Sequence, residues 1–143
     1  HKSEDNNQCR DYIDDKFSSP EFSSYFIKCD GTSTEKAKLR LIRINTTGYK
    51  TTNGDYVYWG SSAEIYFQEC NFIDVRFKTT MIYCTTKNIT IYSSLISNCY
   101  YIASSSSSAC LVKSEAEQGK YSDFQNNIIT FVNHVNSCRV FNI

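Results

Sequence analysis

Proline occurs once in this chain and glycine five times, which excludes collagen-like repeats and proline-rich linkers. No stretch approaches the roughly 20 consecutive apolar residues of a membrane-spanning helix. The longest apolar pieces, such as Ile128-Ile129 and Phe131-Val132, are short and interrupted. An excess of charge of one sign is missing too, because 15 basic side chains face 15 acidic ones. That speaks against a general nucleic-acid binder, which needs a net basic face to displace counterions, and against a polyanionic disordered tail. No C-x-x-C is present, so neither a zinc ribbon nor a thioredoxin-like redox pair is spelled out. No G-x-S-x-G elbow surrounds any serine, and histidine occurs only at positions 1 and 134.

What remains is rich in rings and sulfur. Aromatics make up 15% of the 143 residues, with 11 Tyr and 9 Phe, too many for a disordered chain. The length predicts one domain, able to bury on the order of two thirds of its unfolded surface. Seven cysteines stand at gaps of 20, 41, 14, 15, 11 and 28 residues. The chain opens on His1 rather than Met, which reads as a processed product. Asn45-Thr46-Thr47 and Asn88-Ile89-Thr90 are glycosylation sequons. Together these predict a secreted, disulfide-bonded glycoprotein in an oxidising compartment. An odd cysteine count then leaves one thiol, or one bridge to another chain.

Residues 1–8 are polar and predicted to be flexible. Cys9, Tyr12, Ile13 and Phe17 recur at i, i+3, i+4 and i+8, which predicts a helix over 9–19. Asn7 would cap it and Ser18-Ser19-Pro20 would stop it. From residue 25 to 143 the period is two, so the rest reads as β. Ala37, Leu39 and Leu41 alternate with Lys36, Lys38 and Arg40. Asn53-Gly54, before Tyr56-Val57-Tyr58-Trp59, is the signature of a type I′ hairpin. Ile65–Phe67, Ile73–Phe77, Met81–Tyr83, Ile89–Tyr92, Ala109–Val112 and Ile128–Val132 follow as short strands. Ser104–Ser108 and Glu115–Lys120 are polar loops. No second long helix is visible, which excludes βαβ folds.

An internal repeat underlies the strands. At an offset of 24, Ile65 meets Ile89, Phe67 meets Ile91, Phe72 meets Ile96 and Asp74 meets Asn98. Ile42, Ile44 and Tyr49 fall in matching slots at an offset of 23, and Ile129–Asn133 has the same local pattern. A unit of about two dozen residues that lays a short strand on its predecessor cannot bury its apolar face alone, so several must stack. Asn and Asp suit the corners because they tolerate left-handed backbone. Through Phe67–Asp74, Asn88–Cys99 and Asn126–Cys138 the chain resembles the right-handed parallel β-helix family, especially the irregular coils of extracellular surface proteins. The resemblance implies a short all-β solenoid capped by the N-terminal helix. The alternative is an antiparallel β-sandwich, or a lipocalin-like barrel, built from short strands at regular spacing.

In a coil stack, residues one coil apart lie about 4.8 Å from each other. The solenoid therefore implies Cys9–Cys29, pinning the cap helix, and Cys70–Cys99. One further bridge is implied among Cys84, Cys110 and Cys138, leaving one of these three unpaired. A sandwich would instead make long-range bridges such as Cys29–Cys138 natural.

Candidate chemistry is thin. His134 alternates with Val132 and Val135 and reads as a surface or corner side chain. Glu69, Asp74 and Asp123 are scattered, whereas glycan-cleaving enzymes pair their carboxylates. Asp11, Asp14 and Asp15 cluster on the outer side of the predicted helix. An N-terminal His1 is the copper-binding feature of histidine-brace oxidases, but only His134 is available as the second ring and nothing else fits. Lys36, Lys38, Arg40 and Arg43 form a basic strip that a sulfated glycan or acidic partner would match. Tyr49, Tyr56, Tyr58 and Trp59 surround the predicted turn and suit either a contact surface or packing. No catalytic residue, metal or cofactor is predicted. The expectation is a non-catalytic extracellular structural or adhesive protein that self-associates into filaments. The alternative is a secreted domain binding a host or partner protein.

Overall fold

Inward side chains recur every five residues along each turn of the chain. Tyr12, Phe17 and Phe22 begin the series, Phe67, Phe72 and Phe77 repeat it, and all six are buried. Leu41 and Thr46, then Ile91 and Ile96, keep the same spacing and are also buried. Between these residues the backbone turns through left-handed corners at Asp14 and Ser19, Arg43 and Gly48, Glu69 and Asp74, and Ser93 and Asn98. Such a corner costs a non-glycine residue about 1–2 kcal/mol. It is offset by bonds between turns: the amides of Asp14, Arg43, Glu69 and Ser93 donate to carbonyls of Ile42, Gln68, Tyr92 and Gln125 in the turn above, at 2.9–3.1 Å.

The computed structural model describes residues 9–22, 24–31, 37–51, 56–101, 110–133 and 139–143. The segment 1–8 expected to be flexible, the expected Asn7 cap, the Asn53-Gly54 turn, the serine loop, Lys36, His1, His134 and Cys138 lie outside them. The chain is an all-β solenoid. One sheet stacks β1 (Asp11–Ile13), β5 (Lys38–Ile42), β9 (Glu64–Gln68), β13 (Ile89–Tyr92) and β16 (Ser122–Gln125). A second stacks β2 (Lys16–Ser18), β6 (Asn45–Thr47), β10 (Asn71–Ile73), β14 (Leu95–Tyr101) and β17 (Ile128–Asn133), with β11 (Arg76–Phe77) also on β14. A third stacks β4 (Ile27–Asp30), β8 (Tyr56–Ser61), β12 (Thr80–Thr86), β15 (Cys110–Ala116) and β18 (Arg139–Asn142). The short β3 (Glu21–Phe22) and β7 (Lys50–Thr51) pair beside them. The middle three rungs have a neighbour on both sides.

Every strand pair among the described residues is parallel, which excludes the antiparallel sandwich and the hairpin. β7 and β8, on either side of Asn53-Gly54, join different sheets. The predicted cap helix is absent: 11–13 and 16–18 are strands joined by the left-handed Asp14. Cys9, Tyr12 and Phe17 do face inward, but Ile13 is 44% exposed. A three-residue strand plus a two-residue corner puts inward residues five apart, which imitates part of a helical stripe.

The registers correct the repeat in one place. Ile65 pairs with Ile89 and Phe67 with Ile91, Phe72 lies beside Ile96, and the corners Asp74 and Asn98 are joined by an Asn98 amide bond to the Asp74 carboxylate. One turn earlier the pairs are Leu39 with Ile65 and Leu41 with Phe67, an offset of 26 rather than 23. The last turn adds residues, since Ile89 pairs with Ser122 at an offset of 33.

The cysteines follow the registers, not the coil average. Cys9 and Cys29 are disulfide-bonded, with Cα atoms 4.5 Å apart, and tie the segment before β1 to β4. Cys70, Cys84, Cys99 and Cys110 are buried thiols, so the expected Cys70–Cys99 bridge is not formed. The Ser94 hydroxyl, not Cys99, lies on the Cys70 amide. Cys99 is aligned with Val132. Cys84 stands between Gly60 and Ser114, and Cys110 beside Thr80. A gap of 26 between Cys84 and Cys110 misses the local register of 30.

Candidate functional site

The basic strip is neutralised rung by rung. Arg40 and Asp11 are register partners, and Arg40 Nη2 lies 2.6 Å from Asp11 Oδ2. Arg43 binds the Asp14 carboxylate through two nitrogens, the longer contact at 2.9 Å. Lys38 Nζ lies 3.9 Å from Glu64 Oε2. The Arg43 hydrogen bond holds the Asp14 carboxyl below its ordinary value, and Asp14 in turn raises Arg43. Three of the four strip residues therefore face a carboxylate one rung away. The Asp11 and Asp14 carboxylates, expected on the outer side of a helix, are paired with Arg40 and Arg43 while remaining solvated.

The outer face of the third sheet carries a column of Lys28, Trp59, Tyr83 and Lys113 in register. Lys28 Nζ lies 3.9 Å from the Trp59 ring centroid and Lys113 Nζ 5.2 Å from that of Tyr83. The Trp59 and Tyr83 rings are nearly parallel, with centroids 6.3 Å apart, and Tyr56 stacks on Tyr83 at 5.0 Å. Tyr83 donates a 2.8 Å hydrogen bond to Glu115, which also holds Lys113 at 2.9 Å. Those two partners keep the Glu115 carboxyl below its ordinary value. The ring faces are spent on each other and on the two ammonium groups, so the column presents edges to solvent. A sugar-stacking platform needs open faces, and this column offers none to a neighbouring ring. Tyr49 and Tyr58, grouped with Trp59 by sequence, are instead buried with their hydroxyls bonded to each other.

Neither Cys70 nor Cys84 is activated. Burial pushes the Cys70 thiol up to about 11 and the Cys84 thiol up to about 12, so both stay protonated near neutrality. Among the described residues no group of three His, Cys, Asp or Glu side chains is placed to hold a metal ion. No helix of the described residues is long and apolar enough to cross a membrane. Of the two sequons, Asn45 is exposed on the outer face of β6. Asn88 is half-buried, and its Oδ1 accepts the Tyr121 amide at 3.1 Å.

The feature that sequence reasoning missed is the difference between the two ends of the stack. On the last rung Ile128 is 60% exposed, Phe141 41%, Val140 38% and Ile143 70%. Phe141 belongs to the inward column that runs Ile27, Tyr58, Ile82, Val112, and the first four are buried. On the first rung Tyr12 and Phe17 are only 8% and 7% exposed. The signal was present in the low charge of residues 128–133, but only the register shows that, among the described residues, this strand is paired on one side, to β14. Comparison with protein-family models, with curated proteins and with solved structures finds no match to this chain.

Proposed function

We propose that this chain is a non-catalytic extracellular structural or adhesive protein that works by self-association of its solenoid. An apolar patch carries the reading: among the described residues Ile128, Val140, Phe141 and Ile143 are exposed, a surface that water disfavours and a like surface would cover. The Cys9–Cys29 disulfide supports an oxidising compartment. Protonated, buried Cys70 and Cys84 and ion-paired Asp11 and Asp14 support a surface role over a chemical one. N-linked glycans at Asn45 and Asn88 belong to the same reading, and glycosidase treatment of material from a eukaryotic source would lower its mass. The binding-sandwich alternative loses its fold, so a partner protein is retained only as an outcome of the test. Sedimentation velocity across a wide concentration range decides. A mass that rises with concentration supports self-association, and a constant 16.5 kDa species overturns it.

A further inference from the structure

We infer that Tyr66 and Tyr92 form a cross-linking site, at which a peroxide-consuming oxidant joins the two rings by a carbon–carbon bond and ties β9 covalently to β13. Both strands have a paired neighbour on each side, and the site stands whether or not copies of the chain associate.

The two rings reach each other from adjacent rungs. Register sets Tyr66 beside Thr90 and Tyr92 beside Gln68, so the tyrosines are diagonal neighbours on the outer face of the first sheet. Aromatic side chains span that diagonal. The ring centroids lie 5.5 Å apart with the planes at 86°, and the two hydroxyls are hydrogen-bonded to each other. Gln68 draws both to one point, because its Oε1 lies 2.9 Å from the Tyr66 hydroxyl and 3.3 Å from that of Tyr92. Both side chains are half-buried, so a small oxidant reaches them from solution.

A phenol that loses one electron and its hydroxyl proton becomes a phenoxyl radical. Its unpaired electron is shared between the oxygen and the ring carbons ortho and para to it. In tyrosine the para carbon bears the rest of the side chain, so carbon coupling takes place ortho to the hydroxyl. Drawing the hydroxyls together therefore draws the reactive carbons together. A partner already in place turns a collision between molecules into a step within one. When the two radicals join, each joined carbon passes its hydrogen to the oxygen of its own ring and the phenols are restored. The pair has then lost two electrons and two protons, which convert one hydrogen peroxide into two waters.

Tyr49 and Tyr58 also meet through their hydroxyls, but they are 2% and 0% exposed and closed to an oxidant. Tyr56 stacks on Tyr83, but Tyr83 gives its hydroxyl to Glu115 on β15, on the opposite side of β12 from Tyr56. The Tyr66–Tyr92 bond spans 26 positions of sequence, as Cys9–Cys29 spans 20. A cross-link of that kind favours the fold by restricting the unfolded chain.

The test treats dilute, full-length protein with a haem peroxidase and limiting hydrogen peroxide. The expected product is monomeric, lighter by two hydrogens, fluorescent as dityrosine and unfolded by urea at a higher midpoint than untreated protein. Its peptide map should join Tyr66 to Tyr92. Tyr66→Phe and Tyr92→Phe, each checked for folding by circular dichroism, should lower the yield about tenfold or more. Tyr121→Phe, at a ring 55% exposed, should leave it unchanged. The map of the unaltered protein reads the site even where a variant fails to fold. An unchanged monomer mass, product of doubled mass alone, or a bridge mapped to Tyr56–Tyr83 or Tyr49–Tyr58 overturns the assignment. A yield that survives Tyr66→Phe overturns it as well. Self-association is read separately, from untreated protein.

Discussion

The Cys70 amide donates a 3.1 Å hydrogen bond to the hydroxyl of Ser94, the residue one rung above it at the same inward corner. The hydroxyl in turn donates to the Tyr92 carbonyl at 3.1 Å, and the Ser94 amide donates to Asn127 Oδ1 at 3.0 Å. Asn127 closes the chain by donating to the Ile91 carbonyl at 2.7 Å. Side chains at these corners thus satisfy backbone groups that no strand ladder reaches.

Ser94→Ala should therefore destabilise the fold by about 1–3 kcal/mol, the cost of a buried donor left without a partner. Urea unfolding followed by Trp59 fluorescence measures it. Ser97→Ala on the outer face of β14 is the comparison, and an equal effect of the two would contradict the corner argument.

Gly31 lies against the start of the next rung, where an added Cβ would fall 2.1 Å from the Ser62 carbonyl oxygen. Its own amide donates to Ser61 at 2.8 Å. Gly31→Ala should cost about 1–3 kcal/mol through forced separation of the first two rungs. A neutral substitution in thermal unfolding would show that this approach is not as tight as described.

The buried thiols should be silent in the folded protein. Cys70 and Cys84, raised to about 11 and about 12, and the equally buried Cys99 and Cys110 should resist a maleimide at neutral pH until denaturant is added. Unreduced, denatured protein should then show at least four reactive thiols. Fewer than four would reveal a bridge beyond Cys9–Cys29.

Acid should weaken the outer pairs. Asp14 and Glu115 titrate below their ordinary values of 3.8 and 4.5 because Arg43, and Lys113 with Tyr83, favour the charged forms. A carboxyl lowered on folding stabilises the fold above its unfolded value and loses that contribution as pH falls through the folded one. The urea midpoint should decline below about pH 4–5, and Asp14→Asn with Glu115→Gln should flatten the decline. Both groups are well solvated, so the change is small, and an unchanged slope in the double variant would refute their part in it.

The basic strip should be unmasked by removing its partners. Asp11→Ala with Asp14→Ala leaves Arg40 and Arg43 without their carboxylates. Retention on a sulfated polysaccharide matrix should rise, with elution at higher salt than the unaltered protein. Equal elution would mean that the pairing does not govern the charge of that face.

Parts of this protein were legible in its residues. The all-β class, the stacked turns and the pairing of Ile65–Phe67 with Ile89–Ile91 follow from apolar residues and corner residues recurring at one offset. Where that offset drifts, to 26 at Leu41 and 33 at Ile89, sequence spacing stops predicting neighbours, and the offset of 23 fails for that reason; the Cys70–Cys99 bridge fails because its gap of 29 misses the offset of 24 that holds there and puts Ser94 beside Cys70. The cap helix failed because strand, corner and strand place Tyr12 and Phe17 inward at a distance a helix nearly shares.

The amino-acid sequence determined that the chain must stack to bury its rings, since one turn of five-residue steps cannot cover Phe67, Phe72 and Phe77 by itself. Only the tertiary structure decided which side chains meet. Register set Arg40 on Asp11 and Lys28 on Trp59, turning a basic strip and an aromatic cluster into satisfied columns. It also decided that, among the described residues, Phe141 is exposed while Ile27, Tyr58, Ile82 and Val112 of the same inward column are buried, because exposure depends on what packs against a ring and not on its own chemistry.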